Sequence, residues 1–341
     1  MLMVKKQLQN IVIIRSFAIL SVVLYHSYCP WLYAWNCFDC EIRPFYSFIF
    51  ETVMVGRMPL FVAVSGYLFA HLFLDRGKYG NFTAFVKNKL IRLLLPAFVF
   101  LILSSITAHT NLLDAIFWEG DQWFLKMLFL SFITNWIVLK YCKGNFIFII
   151  LLFAIIMSFL PGIKFFCIDS YQKYYMFFLC GSILYKFRDK LKFMHSSIFC
   201  IVLISFFFFL CIVAAICYAN DLNNYGDIIH TNMLLALIRV VLRILTIFVG
   251  FSVVDYYLSK NRNFSSNFLF TINSYSYGIY LIHLYIIGNI KDLGLYIPYQ
   301  DFLSAYYLIS PIVVFVIVLF MSVLCTKLLK MSKYTSWCIG G

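Results

Sequence analysis

The chain has 341 residues, of which 63% are apolar and 12% charged, and its mean hydropathy is +0.91. Soluble domains carry about 45–50% apolar and about 25% charged residues, so a water-soluble fold is excluded. The formal charge of +13 reflects basic loops facing anionic headgroups and gives no case for nucleic acid as a partner.

Repeated apolar stretches of about twenty residues match what a helix needs to cross hydrocarbon, where each backbone N–H and C=O must be paired within the segment. Runs such as Ile147 to Met157 and Ile198 to Ile216 do not alternate, which argues against a barrel. The sequence therefore predicts an all-α, polytopic membrane helix bundle of about ten transmembrane helices. It reads as a single domain over 1–341 with a cytoplasmic tail at about 327–341. In chain order the predicted spans are 11–28, 45–74, 91–107, 123–141, 145–160, 173–187, 197–219, 231–258, 267–290 and 305–326. The second exceeds what a bilayer requires and contains Gly56 and Pro59, which predicts one kinked helix or a helix with a re-entrant element. The Phe-rich stretch Phe206 to Phe209 reads as lipid-facing filler.

With the N-terminus inside, eighteen lysines and arginines fall in inner segments and four in outer ones, so both termini are predicted to be cytoplasmic. Lys5 and Lys6 precede the first span as in a signal peptide, but no small-x-small site follows and the run carries an arginine and a histidine, so it is read as retained. The eleven cysteines lie mostly inside spans, where they act as small apolar residues. Cys37 and Cys40 share an outer loop and could form a disulfide on an oxidising face. A lone C-x-x-C does not make a zinc site, and no metal is expected.

Arg15, Arg57, Lys126, Arg239 and Arg243 fall inside the spans, together with Glu51, Asp255, His26 and His283. A charge at mid-bilayer costs roughly 2.5–3.5 kcal/mol on insertion scales, so each needs a partner, a wet cavity or a task. Arg15 and His26 are eleven residues apart, which is about three turns plus roughly 20°, so both lie on one stripe about 16 Å apart. A plain reading has Arg15 paired with Glu51 or Asp255 and His26 hydrogen-bonded across the bundle.

The rest of the pattern is an ordered series. Arg15-x10-His26 is followed by Arg57-Met-Pro-Leu-Phe through Ser65-Gly66-Tyr67, then Lys89-Leu-Ile-Arg92 with Leu95-Pro96, then Gln122-Trp123-Phe124-Leu125, and finally Tyr277-Gly278-Ile279-Tyr280-Leu281-Ile282-His283. Over nearly the whole chain this series resembles the acyltransferase type 3 family, above all its small stand-alone members that O-acetylate sugars of surface polysaccharides. Two departures are Phe61-Val62, where the family has an aromatic pair, and Lys89 with Arg92, where it has two arginines.

The resemblance implies an O-acyltransferase in the cytoplasmic membrane, using acetyl-CoA or another acyl-CoA as donor and a hydroxyl of a cell-surface or lipid-linked carbohydrate as acceptor. Acyl transfer to an alcohol needs a base or a nucleophile, and neutral imidazole serves as either near pH 7. His26 is the candidate for that role. Arg15 is its catalytic companion, through the oxyanion or a phosphate. Lys89, Arg92 and Arg57 are expected to meet the phosphates of the donor. His283, Trp123 and Ser65 are expected on the acceptor side, against the alternatives of a packed histidine, an interfacial aromatic belt and a helix-packing hydroxyl. Two other classes stay open: a transporter of a glycan or acyl-carrying solute, against which the lack of an inverted repeat counts, and a non-catalytic membrane scaffold.

Overall fold

The computed structural model describes residues 2–32, 43–108, 111–118, 122–142, 146–222, 233–261, 266–292 and 305–339. Among them every regular element is helical. The α-helices are α1 (Leu2–Tyr28), α2 (Arg43–Phe48), α3 (Arg57–Leu74), α4 (Phe82–Lys89), α5 (Leu95–Ala108), α6 (Leu112–Phe117), α7 (Trp123–Tyr141), α8 (Phe146–Met157), α9 (Ile168–Lys186), α10 (Ser197–Leu222), α11 (Met233–Lys260), α12 (Asn267–Asp292) and α13 (Ala305–Met331). The pair Cys37 and Cys40 lies outside the described residues.

The protein is all-helical and polytopic. Seven stretches among the described residues are long and apolar enough to cross a membrane: Gln9–Trp31, Ile49–Leu74, Phe82–Ile106, Trp123–Tyr141, Ser197–Cys217, Leu234–Lys260 and Ile309–Met331. The other three expected spans fall on α8, of 12 residues, and on α9 and α12. These last two have the length but carry polar residues such as Asp169, Gln172, Asn273 and Ser276, which lower their apolarity.

The long second span is not a helix kinked at its proline. A π-helical segment, Ile49–Val53, follows α2, a turn spans Met54 to Gly56, and α3 begins at Arg57. Pro59 is the third residue of α3, where its missing N–H is one the first turn would leave unpaired in any case. The third span starts earlier than expected, because α4 runs into α5 through a second π-helical segment, Leu90–Leu94. Its cause lies one turn on: Pro96 cannot donate to the carbonyl of Arg92, and the preceding turn widens so that Leu95 N–H reaches the carbonyl of Leu90.

The chain gathers into two compact units. The first comprises Met1–Phe61, Lys192–Ser276 and His283–Ser322. Here α10 and α11 pack along each other, burying Cys211, Ala214, Leu235, Ile238 and Leu242 with Val55. Ile201, Phe206, Phe208 and Phe209 of α10 are exposed, as expected for side chains that face lipid. α11 also packs on α1, and Ser16 Oγ donates to the Leu269 carbonyl at 2.8 Å, tying α1 to α12.

The second unit comprises Val62–Leu191, Tyr277–Ile282 and Val323–Gly341. Within it α3 and α9 meet at reciprocal glycines. A Cβ on Gly66 would fall 2.0 Å from the Phe178 carbonyl oxygen, and one on Gly181 would fall 1.9 Å from that of Ala63. Ser182 Oγ donates to the Gly66 carbonyl at 3.0 Å and accepts from Asn135 Nδ2 at 2.9 Å, which brings α7 into the same contact. At the ends of α3 and α9, the Tyr185 hydroxyl donates to Asp75 and accepts from His71 Nδ1 at 2.8 Å, while Arg188 Nη2 sits 3.2 Å from the same carboxylate.

Candidate active site: a buried histidine pair

α1 is unbroken from Leu2 to Tyr28, so Arg15 and His26 keep the spacing and the shared stripe that the sequence requires. His283, from α12, brings its Nε2 to 3.0 Å from His26 Nδ1, with ring centroids 4.9 Å apart. His283 is 0% exposed and His26 is half-buried. A fully buried imidazole needs a polar partner, and this one finds it on the residue the sequence singled out.

Arg57 completes the surroundings of His26. Its guanidinium carbon lies 3.5 Å from the centroid of the Tyr25 ring, and that ring packs edge-on to His26 at 5.1 Å and to Phe50 at 5.4 Å. Arg57 Nη1 donates to the carbonyls of Phe50 and Met54 at 2.9 and 3.1 Å. The π-helical segment and the turn after it leave these carbonyls available, and an arginine at the start of the next helix is placed to meet them. The cation expected among the donor-binding residues thus stands beside the histidine pair. Arg15 has its guanidinium carbon 5.9 Å from the Phe61 ring centroid. Among the described residues no carboxylate pairs with it: Glu51 does not, and Asp255 lies 3.7 Å from His195.

Four other singled-out residues belong to the second unit. Lys89 is half-buried with Nζ 3.4 Å from the Phe132 centroid, 5.5 Å from that of Tyr79 and 5.8 Å from that of Phe85. Three residues on, Arg92 is exposed on the π-helical segment. Trp123 opens α7, half-buried and packed at 5.4 Å on Tyr174. Gln122 before it has a left-handed backbone, φ 65°, and a buried Oε1 without a partner. Ser65 is half-buried on α3 beside Gly66, whose contact with α9 makes this block a helix-packing element.

Lys126, which the sequence leaves as an unexplained charge, has a structural partner. It is 2% exposed, and Nζ donates to the carbonyls of Ala115, Ile116 and Trp118 at 3.0, 3.2 and 3.5 Å. It closes the C-terminal end of the short α6, where orphan carbonyls and the helix dipole both favour a cation. Sequence reasoning missed this because α6 is too short to register as an element of its own.

The histidine geometry constrains the tautomer. If His26 Nδ1–H donates to His283 Nε2, the Nε2 lone pair of His26 is free to take a proton or attack a carbonyl. The reverse arrangement puts the proton on His26 Nε2 and leaves no free lone pair there. A second imidazole in this position therefore selects and orients the reactive form, as a carboxylate does in a triad.

Fold and site together define a polytopic membrane protein with a buried imidazole dyad flanked by arginines. A family model described as an acyltransferase domain matches residues 8–331, nearly the whole chain, and the chain belongs to this family, acyltransferase type 3. It is a multi-pass membrane acyltransferase. No curated protein and no solved structure matches the chain.

Proposed function

We propose that the protein is an O-acyltransferase of the cytoplasmic membrane, with both termini in the cytoplasm, that moves an acetyl group from acetyl-CoA to a hydroxyl of a cell-surface or lipid-linked carbohydrate. The observation that carries this reading is the 3.0 Å contact between His26 Nδ1 and His283 Nε2, which leaves His26 Nε2 available for chemistry.

As a base, His26 Nε2 takes the proton of the acceptor hydroxyl while the oxygen attacks the thioester carbon. The C–S bond breaks, and the proton passes to the leaving thiolate. As a carrier, Nε2 itself attacks, the thiolate leaves, and the acyl-imidazole then yields its acyl group to the hydroxyl. Arg15, a guanidinium without a carboxylate partner, stabilises the tetrahedral oxyanion or holds a donor phosphate. Lys89 and Arg92 meet donor phosphates, Trp123 offers a ring for a sugar to stack on, and Ser65 stays with helix packing.

The test is transfer from labelled acetyl-CoA to a glycan acceptor by purified protein. His26→Ala is expected to lose about 10²–10⁴-fold in rate while inserting normally, since removing a neutral imidazole does not raise the cost of insertion. A folded His26→Ala protein with wild-type transfer would sink this mechanism. Acyl label trapped on the wild-type protein without acceptor, and absent in the variant, selects the covalent route.

A further inference from the structure

Arg239 and Arg243 lie one turn apart within the membrane-spanning part of α11, both half-buried. Among the described residues neither has a hydrogen bond, an ion pair or a ring contact, and Arg239 Nε is buried without a partner. Like charges one turn apart also repel each other, so the pair is unfavourable unless something negative joins it.

Helical geometry gives the direction they face. Thr246 points at Gly56, where an added Cβ would fall 2.2 Å from it, and Gly250 packs against Leu60. Arg239 precedes Thr246 by seven residues and Arg243 precedes Gly250 by seven, which puts each arginine within about 20° of its counterpart and about 10 Å back along the axis. Stepping back by that much from Gly56 and Leu60 reaches the π-helical segment Ile49–Val53, which α11 contacts. The same segment supplies Phe50, whose ring packs on Tyr25 and whose carbonyl holds Arg57. Its own acid, Glu51, pairs with neither arginine.

We propose that Arg239 and Arg243 are an oxyanion-binding subsite for the acceptor, so that the glycan acylated here carries a negative group. This rests on the acyltransferase reading above. The shared chemistry is a phosphate or carboxylate oxyanion taking the guanidinium donors. Its source is the diphosphate of a lipid-linked glycan or the carboxylate of an acidic sugar.

Purified protein in phosphatidylcholine nanodiscs is assayed with three acceptors: a neutral oligosaccharide, the same oligosaccharide bearing a uronic acid, and a prenyl-diphosphate-linked sugar. In Arg239→Gln/Arg243→Gln protein the KM for the anionic acceptor is expected to rise about tenfold or more, with the KM for acetyl-CoA unchanged and partial recovery in the double lysine variant. The arm that responds identifies the source. Separately, binding of inorganic pyrophosphate is measured by calorimetry, which needs no turnover. Binding that weakens about tenfold or more in the double variant supports the subsite even if every acceptor fails, in which case the acyltransferase reading is what falls. Pyrophosphate that competes with acetyl-CoA and not with acceptor, or binding and KM unchanged in the folded double variants, overturns the proposal. If the glutamine variant does not fold, the double lysine variant decides by the same two readouts.

Discussion

Replacing His283 by phenylalanine keeps a ring in a site that is 0% exposed and removes the nitrogen 3.0 Å from His26 Nδ1. One neutral hydrogen bond is worth about 0.5–1.5 kcal/mol net, which corresponds to about 2- to 13-fold in an equilibrium. If His283 acts by fixing the tautomer and bearing of His26, kcat falls by about that factor, several-fold to tenfold, and the KM for acetyl-CoA stays put. His26→Ala, which removes the reacting group itself, falls by about 10²–10⁴. Steady-state kinetics on both variants, normalised to folded protein by size-exclusion profile, separates the two roles. An unchanged kcat in His283→Phe refutes the positioning role. A fall as deep as that of His26→Ala refutes it differently, by making His283 a reacting imidazole in its own right.

Neutralising Lys89 and Arg92 together is expected to raise the KM for acetyl-CoA, and an unchanged KM would reduce the two to a topology signal. Arg92→Gln alone should carry most of that effect, because Arg92 is exposed whereas Lys89 lies 3.4 Å over Phe132. Gly181→Ala places a Cβ 1.9 Å from the Ala63 carbonyl oxygen, so folded protein recovered in detergent should drop sharply. Recovery at the wild-type level would show that α3 and α9 are packed otherwise. Lys126→Met leaves the carbonyls of Ala115, Ile116 and Trp118 without their donor and should cost about 1–3 kcal/mol, visible as a lower Tm with kinetics intact. An unshifted Tm would mean that water or lipid takes the lysine's place.

The helices were legible because apolar run length is a property of a single segment, and each expected span falls on one. What connects segments was less so. His26 and His283 are 257 positions apart, and a sequence alone holds His283 equally as a partner or as a packed side chain; their 3.0 Å contact comes from how α1 and α12 meet. Arg57 was assigned to the donor because only its charge was visible. Its place beside Tyr25 depends on the break before α3, and that break was attributed to Pro59 when it lies at Ile49–Val53 and the following turn. Both π-helical segments escape periodicity analysis, since a single widened turn hardly disturbs an apolar run. A proline soon after a basic cluster, as in Pro96 after Arg92, was the available sign for one of them. Arg239 and Arg243 were read correctly as sharing a face, and what that face meets could only come from the glycine contacts at Gly56 and Gly250.

The widened turn at Leu90–Leu94 holds one residue more than an α-helical turn would. Excising a single residue there would let the hydrogen-bond ladder close in the ordinary way, so the chain would stay helical through a deletion that most spans could not absorb. Everything beyond would swing by about 100° and advance by about 1.5 Å relative to Lys89. Phe98, Leu103 and Ile106, which now face outward, would be turned sideways. In this stretch the integrity of the helix and the bearing of what it carries are separable, and a ladder of one-residue deletions and insertions would act as a protractor for the two cations.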